Sequence, residues 1–243
     1  MKILTWNINH RTQPKKIPPQ MAEALASLEP DTIVLTEYVK GPAHDQFLHD
    51  LKAKGYAHPA LSPEKKRQNS ILIVSRTPLK PGTVTGPENI IEAVPCNVLH
   101  VVENSGVHVL AVRMPLPMTA ALKKDWWDWV TRVAEENRHL PFIITGDFNT
   151  DPEVTKGPNG KVRFANLRKN GWLFDLPATP SWWNTHEGGS KLDHTLLSAS
   201  HFGNPHSVYL TGSGPYVFAR KAGAMSDHAV LLVDAMMKTD VDA

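Results

Sequence analysis

Residues 143–152 read Ile143-Ile144-Thr145-Gly146-Asp147-Phe148-Asn149-Thr150-Asp151-Pro152. The apolar opening has the composition of a fully buried strand. The Gly, Asp, Asn, Asp and Pro that follow have the composition of a loop at its carboxyl end. In open α/β sheets, ligands bind at such strand ends. Asp147 and Asn149 stand two apart, so an extended segment points both side chains the same way. A carboxylate and an amide so placed can hold a water, a phosphate oxygen or a hard metal ion. They can equally form an ordinary polar turn, with Asx side chains bonded to their own backbone. The rest of the chain has to weigh one against the other.

Working outward, apolar strands end on polar residues in four more places. Residues 2–8 alternate as a strand, with Ile3, Thr5 and Asn7 on one face, and the chain turns polar at Asn7, Asn9 and His10. Residues 31–36 form a second buried strand that stops on Glu37. On the far side, Asp193 opens a strand over 192–198, and Asp227 with His228 precedes one over 229–236. Further strands are expected at 70–75 and, around the hairpin signal Asn104-Ser105-Gly106, at about 96–103 and 107–113. Helices are expected over 19–28, 44–54, 119–138 and 163–169. In the third, Thr119 can cap, and Leu122, Trp126, Trp129, Val130 and Val133 recur at helical spacing, so these tryptophans read as core. If one sheet edge gathers the polar strand ends, Glu37, Asp147, Asp193 and Asp227 converge. Their repulsion is unfavourable unless a cation or protons offset it. Oxygen ligands without thiols favour Mg²⁺ or Mn²⁺.

Composition sets the limits. A chain of 243 residues has room for a substantial core, and with no dividing linker or short repeat, residues 1–243 are expected to form a single domain. The one cysteine, Cys96, excludes an internal disulfide and a thiolate zinc cage, which fits a reducing cytoplasm. The start of the chain lacks a basic stretch followed by a long apolar one, and no apolar run approaches the roughly 20 residues a membrane span needs. The formal net charge is +2, from 26 basic and 24 acidic residues, too small to imply a nucleic-acid coat but compatible with a local basic patch. Nothing points to an obligate protein partner.

Trp6-Asn7-Ile8-Asn9, Leu35-Thr36-Glu37, Gly146-Asp147-Phe148-Asn149, Leu192-Asp193-His194 and Ser226-Asp227-His228 stand in the order, and at about the spacing, of the endonuclease/exonuclease/phosphatase superfamily. The chain resembles that superfamily from Lys2 to about Val233, and Asn69 to Arg76 resembles its central strand. The resemblance implies an α/β fold, a four-layer sandwich of two packed mixed β-sheets flanked by helices. It implies metal-dependent hydrolysis of a phosphate ester. It makes Glu37 the main ligand of Mg²⁺ or Mn²⁺, with Asn7 and Asp227 beside the metal and Asn9 where Asp is common. Asp147 then orients or deprotonates the attacking water, and Asn149 holds that water and a phosphate oxygen. His228 faces the scissile phosphate, with Asp193 paired to its imidazole. One departure stands out: many members carry His or Tyr where this chain has Arg113. A guanidinium is a poor proton donor but a good clamp for a phosphate oxygen, and an ordinary salt-bridged arginine is the alternative.

Substrate is less constrained. Basic segments at 11–16 and 65–67 would lie beside strand ends and could meet backbone phosphates, which favours a nuclease acting on DNA. They could also be solvated loops. Trp182, Trp183 and His186, just ahead of the Asp193 strand, are candidate substrate contacts. The near-neutral charge balance suits a phosphohydrolase of small-molecule or lipid esters. A non-catalytic binding module is the third possibility, weakened because Glu37, Asp147 and His228 are all retained.

Overall fold

The computed structural model describes residues 1–9, 17–65, 68–87, 94–114, 119–155, 159–184, 188–220 and 223–238. In chain order the first half holds β1 (Lys2–Asn7), α1 (Met21–Ala26), β2 (Thr32–Tyr38), α2 (His44–Ala53), β3 (His58–Leu61), β4 (Ser70–Ser75), β5 (Leu79–Pro81), a 3-10 turn (Val94–Asn97), β6 (Val98–Glu103) and β7 (His108–Arg113). The second half holds α3 (Ala120–Asn137), β8 (Phe142–Asp147), α4 (Gly160–Lys169), β9 (Trp172–Leu173), β10 (Trp182–Trp183), β11 (Gly189–Ser190), β12 (Asp193–Ser198), β13 (His206–Leu210), β14 (Gly212–Ser213), β15 (Tyr216–Val217) and β16 (Val230–Asp234). No helix among the described residues is long and apolar enough to cross a membrane.

Two six-stranded sheets result, in the orders β13-β16-β1-β2-β4-β3 and β5-β6-β7-β8-β12-β9. Both are mixed: β1 runs parallel to β2 and β7 parallel to β8, while the other neighbours are antiparallel. Burial defines the layers. Ile3, Val34, Ile71 and Ile73 of the first sheet share one apolar cluster with Val109, Ala111, Ile143 and Leu197 of the second, so the sheets pack face to face. The first sheet's outer face carries Leu4, Trp6, Ile33 and Leu35 against Met21 and Leu25 of α1 and Phe47 and Leu51 of α2. The second's carries Leu110, Ile144 and Leu196 against Trp126, Trp127, Trp129, Val130 and Val133 of α3 and Phe164 and Leu167 of α4. The order helix, sheet, sheet, helix is the four-layer sandwich expected. Central strands buried on both faces explain the near-continuous apolar runs.

The sequence reading needs two corrections here. The first helix is shorter than 19–28, because Pro18 and Pro19 stay outside it and Glu29 turns left-handed at φ 53° just before Pro30. More tellingly, the strands of the two six-stranded sheets that it missed, β3, β5, β9 and β13, are their four outer strands. Two of them contain proline, Pro59 and Pro81, and β9 is two residues long. Edge strands tolerate proline and short length because one side has no ladder to satisfy.

The sheet interface changes character along its length. Thr5 and Thr145 meet across it at 2.6 Å, and Thr145 meets Thr195 at 2.7 Å, all buried. One step further out, Asn7 donates to Asp147 at 2.9 Å. Thus Ile3-Thr5-Asn7 faces Ile143-Thr145-Asp147 as apolar, hydroxyl and amide–carboxylate rungs, and the last rung lies at the sheet edge. Gly146 is required between them: its φ is +141° and a Cβ would lie 1.9 Å from the Val112 carbonyl oxygen. His194 fixes the adjoining loops, its Nε2 donating to the carbonyls of Thr150 (3.1 Å) and Lys191 (2.9 Å) while its ring packs on Phe148 and Phe164.

Burial holds His194 neutral, pulling its pKa from 6.5 down to about 4. Between those two pH values the unfolded chain binds the proton and the native chain does not, so its contribution is intact above pH 6.5 and is lost as pH falls towards 4. The expected loss is about 2–3 kcal/mol over that window. Chemical denaturation of His194→Gln across pH 4–7 should show an acid limb shallower by about one proton than wild type. An unchanged slope would mean that His194 is not the group responsible.

Candidate active site at the sheet edge

β1 and β2 are parallel, as are β7 and β8, so their carboxyl ends fall at the same edge within each sheet. β12 runs antiparallel to β8, with Asp193 opposite Asp147, and β16 runs antiparallel to β1. The amino ends of β12 and β16 therefore reach the same edge. Strand direction alone gathers Asn7, Glu37, Arg113, Asp147, Asp193 and the Asp227–His228 pair.

Asp147 is buried and held by three donors. Asn149 N–H meets its Oδ1 at 2.9 Å, while Asn7 Nδ2 and Asn149 Nδ2 meet its Oδ2 at 2.9 and 3.1 Å. The expectation that Asp147 and Asn149 share a face because the segment is extended needs correction. Asn149 lies at φ 45°, in the left-handed region, and it is an Asx turn that draws the pair together. The polar-turn reading of the opening motif therefore holds. The end of β1 repeats the device: Asn9 at φ 51° donates its N–H to Asn7 Oδ1 at 2.9 Å. Lys123 of α3 adds a cation, its Nζ bonded to the Asn149 carbonyl at 2.5 Å. Burial pulls the Lys123 ammonium down, and Asp147 opposes that shift. Its place on α3 carries no sequence signal that reasoning from strand ends could have used.

His228 and Asp193 form a buried pair, Nδ1 to Oδ2, at 2.8 Å. Trp6 Nε1–H donates to the His228 carbonyl at 2.8 Å, and the Ser226 hydroxyl donates to the Asn7 carbonyl at 2.7 Å, which fastens this segment to β1. Tyr209 Oη–H donates to the Asp193 carbonyl at 2.6 Å. Burial alone would lower the His228 pKa. The Asp193 carboxylate, helped by Asp147 and Asp227, outweighs that and pushes it up to about 9. Burial, with Asp193 next, pushes the Asp147 carboxyl up to about 6. Asp147, Asp193 and His228 place one ligand atom each within 4.8 Å of one another. His228 Nδ1 is taken up by Asp193 Oδ2 and both Asp147 oxygens accept hydrogen bonds, while Asp193 Oδ1 is buried without a partner among the described residues. With the imidazole held protonated, the trio is better suited to moving a proton than to caging a metal.

Glu37 lies at φ 54°, beside a register irregularity between Leu35 and Tyr38. The sequence reading makes it a metal ligand and makes Arg113 a phosphate clamp. Here the two meet: Arg113 Nη2 and Nε reach Glu37 Oε1 at 2.5 and 3.1 Å, with side chains 12% and 14% exposed. The four carboxylates thus divide, with Glu37 compensated by Arg113 and Asp193 by His228. Asp227 is exposed and accepts from Trp182 Nε1 at 3.3 Å, so one substrate-contact candidate touches one metal-ligand candidate. His186 and the basic segment 11–16 lie outside the described residues, as do residues 66–67 of the second basic segment. As a test of fit to a cation, Glu37, Asn7 and Asp227 offer only oxygen, and Cys96 is buried away from them in the turn before β6. That donor set suits a hard divalent ion such as Mg²⁺ or Mn²⁺.

Residues 4–228 match the Endonuclease/Exonuclease/phosphatase family, and the chain belongs to it. A search of curated proteins gives no sequence match. Among solved structures, an endonuclease/exonuclease/phosphatase from Beutenbergia cavernae is similar at 18% identity and TM-score 0.69, covering 98% of this chain and 71% of its own. Truncated TDP2 from Caenorhabditis elegans is similar at 16% identity and TM-score 0.66, covering 97% of each chain. A mutant beta toxin from Staphylococcus aureus with bound magnesium ions is similar at 14% identity and TM-score 0.64, covering 97% of this chain and 99% of its own. At these identities the likeness is one of fold.

The Asp193–His228 pair yields a direct expectation. Asp193→Asn keeps the shape and removes the counter-charge, so the His228 titration seen by NMR should fall from about 9 to 6.5 or below. A midpoint left near 9 would show that Asp193 is not what holds the proton.

Proposed function

We propose that this chain is a divalent-metal-dependent phosphodiester hydrolase, and that its substrate is nucleic acid, DNA foremost. One observation carries the reading: a carboxylate-held imidazole, Asp193–His228, stands beside the buried Asp147 at the sheet edge of a chain belonging to the Endonuclease/Exonuclease/phosphatase family. The magnesium in the beta toxin structure supports the choice of ion.

A phosphodiester is anionic and repels a nucleophile. A bound Mg²⁺ or Mn²⁺ supplies compensation for charge on the phosphate and leaving oxygens. In this reading Glu37, Asn7 and Asp227 hold the ion and Asn9 flanks it. Asp147, pushed up to about 6, is tuned to take a proton from water near neutral pH. Asn149 orients that water and a phosphate oxygen. His228, protonated at neutral pH, faces the phosphate as a fixed cation or proton source. Arg113 clamps a phosphate oxygen once it leaves Glu37. Trp182 and Trp183 are half-buried, and an indole at the mouth of the site can stack on a base or sugar. His186, which follows Trp183 by three residues in the sequence, is assigned with them as a substrate contact.

The same chemistry serves small-molecule or lipid phosphate esters. The net charge of +2 favours that second reading, because duplex binders usually present more basic surface. We assign the cytoplasm as compartment, on the single cysteine, and treat residues 1–243 as one catalytic domain.

The test is cleavage of end-labelled duplex DNA, single-stranded DNA, abasic duplex and RNA with Mg²⁺, Mn²⁺ or chelator. Metal-dependent cleavage is expected, strongest on DNA, with Asp147→Ala and His228→Ala each lowering it by about 10²- to 10⁴-fold. Cleavage of no nucleic acid by folded protein, but of sugar or lipid phosphates, would transfer the function to the second reading. Wild-type activity in both variants would overturn the assignment of the site.

A further inference from the structure

The Glu37–Arg113 pair is the feature that neither the sequence pattern nor the proposed chemistry absorbs. It bridges the sheets, with Glu37 at the end of β2 and Arg113 at the end of β7. It is mostly buried, and both donors reach the same carboxylate oxygen. The backbone presents Glu37 from a left-handed φ of 54°, a region that non-glycine residues rarely adopt. Such strain persists where the surroundings over-determine it, and here it aims the carboxylate into the sheet edge. Arg113 also stands directly opposite Asp147 in the β7–β8 register, and its charge lowers the Asp147 pKa against burial. The guanidinium therefore has two anionic neighbours, one in each sheet.

We infer that Arg113 competes with the divalent cation for Glu37, so that metal loading and binding of an anionic phosphodiester are positively coupled through the position of one guanidinium. The inference rests on the proposed role of Glu37 as metal ligand. A guanidinium cannot lose its charge in a protein, so a divalent ion reaching this carboxylate meets a fixed positive neighbour. The repulsion is relieved when Arg113 turns away. A phosphodiester arriving beside Asp147 offers an oxygen pair matched to its fork of donors. Each ligand then favours the arrangement that the other needs, and the coupling is reciprocal. Histidine or tyrosine at this position would carry no obligatory charge to set against the metal. Coupling through Arg113 is thus a property of this chain's own residue.

The experiment is calorimetric titration of the full-length protein with Mn²⁺, with and without dimethyl phosphate, a phosphodiester too inert to be turned over. Wild type should bind Mn²⁺ about 10-fold more weakly than Arg113→Gln, and dimethyl phosphate should tighten binding several-fold in wild type only. Arg113→Lys, which keeps the charge, should return the affinity towards wild type. Glu37→Gln should abolish binding in either background. Thermal melting would show that each variant is folded. Equal Mn²⁺ affinity in wild type and Arg113→Gln, or Arg113→Lys binding as tightly as Arg113→Gln, would overturn the competition and leave the metal reading standing. Absence of Mn²⁺ binding in both wild type and Arg113→Gln would instead overturn the metal reading, and the coupling with it.

Discussion

The hydrogen bond from Asn7 to Asp147, 2.9 Å long and spanning the two sheets, expresses the constraint on which the rest depends. A carboxylate sits at the end of an otherwise apolar sheet interface. Its burial is unfavourable unless donors and cations surround it. The chain provides them from both sheets: Asn7 from β1, Asn149 from its own loop, Arg113 from the neighbouring strand, and His228 from the segment before β16. The sheets cannot slide past each other without breaking this set. The geometry of the site is thus a consequence of how the sandwich closes.

Beneath that rung, the Thr5–Thr145–Thr195 hydroxyls form a satisfied chain inside the interface. Such a network adds little net stability, but it penalises any register that breaks it. A one-residue slip of β1 would turn Ile3, Thr5 and Asn7 away from β8 and bury Leu4 and Trp6 in their place. The Asx turns after Asn7 and Asp147 then stop both strands with left-handed asparagines. Two compensated pairs result, Glu37 with Arg113 and Asp193 with His228, and they are suited to different tasks. One involves an arginine that keeps its charge and can only move. The other involves an imidazole that can give up a proton.

The legible part of the fold was its interior. The sequence reading found all eight inner strands of the two sheets, because burial on both faces leaves apolar runs that stop abruptly on polar residues. It missed the four outer strands, where Pro59, Pro81 and short length obscure the signal. At the site, strand-end positions were enough to nominate Asn7, Glu37, Asp147, Asn149, Asp193 and His228. Partner choice was not legible, since pairing Arg113 with Glu37 depends on how two strands 76 residues apart face each other across the sheets. Lys123 was invisible for the same reason. The parity argument for Asn149 reached the right neighbour by the wrong geometry, because turn chemistry overrode the extended backbone.

The central claim is that this sheet edge is divided between a cation-holding carboxylate, Glu37, and a proton-handling group, Asp147 with Asp193–His228. The most direct measurement is anomalous scattering from crystals of the protein soaked in manganese chloride. The division predicts a manganese peak against Glu37, with Asn7 and Asp227 around it and Arg113 turned from the carboxylate. A peak inside the Asp147–Asp193–His228 group, with Arg113 still on Glu37, would contradict it.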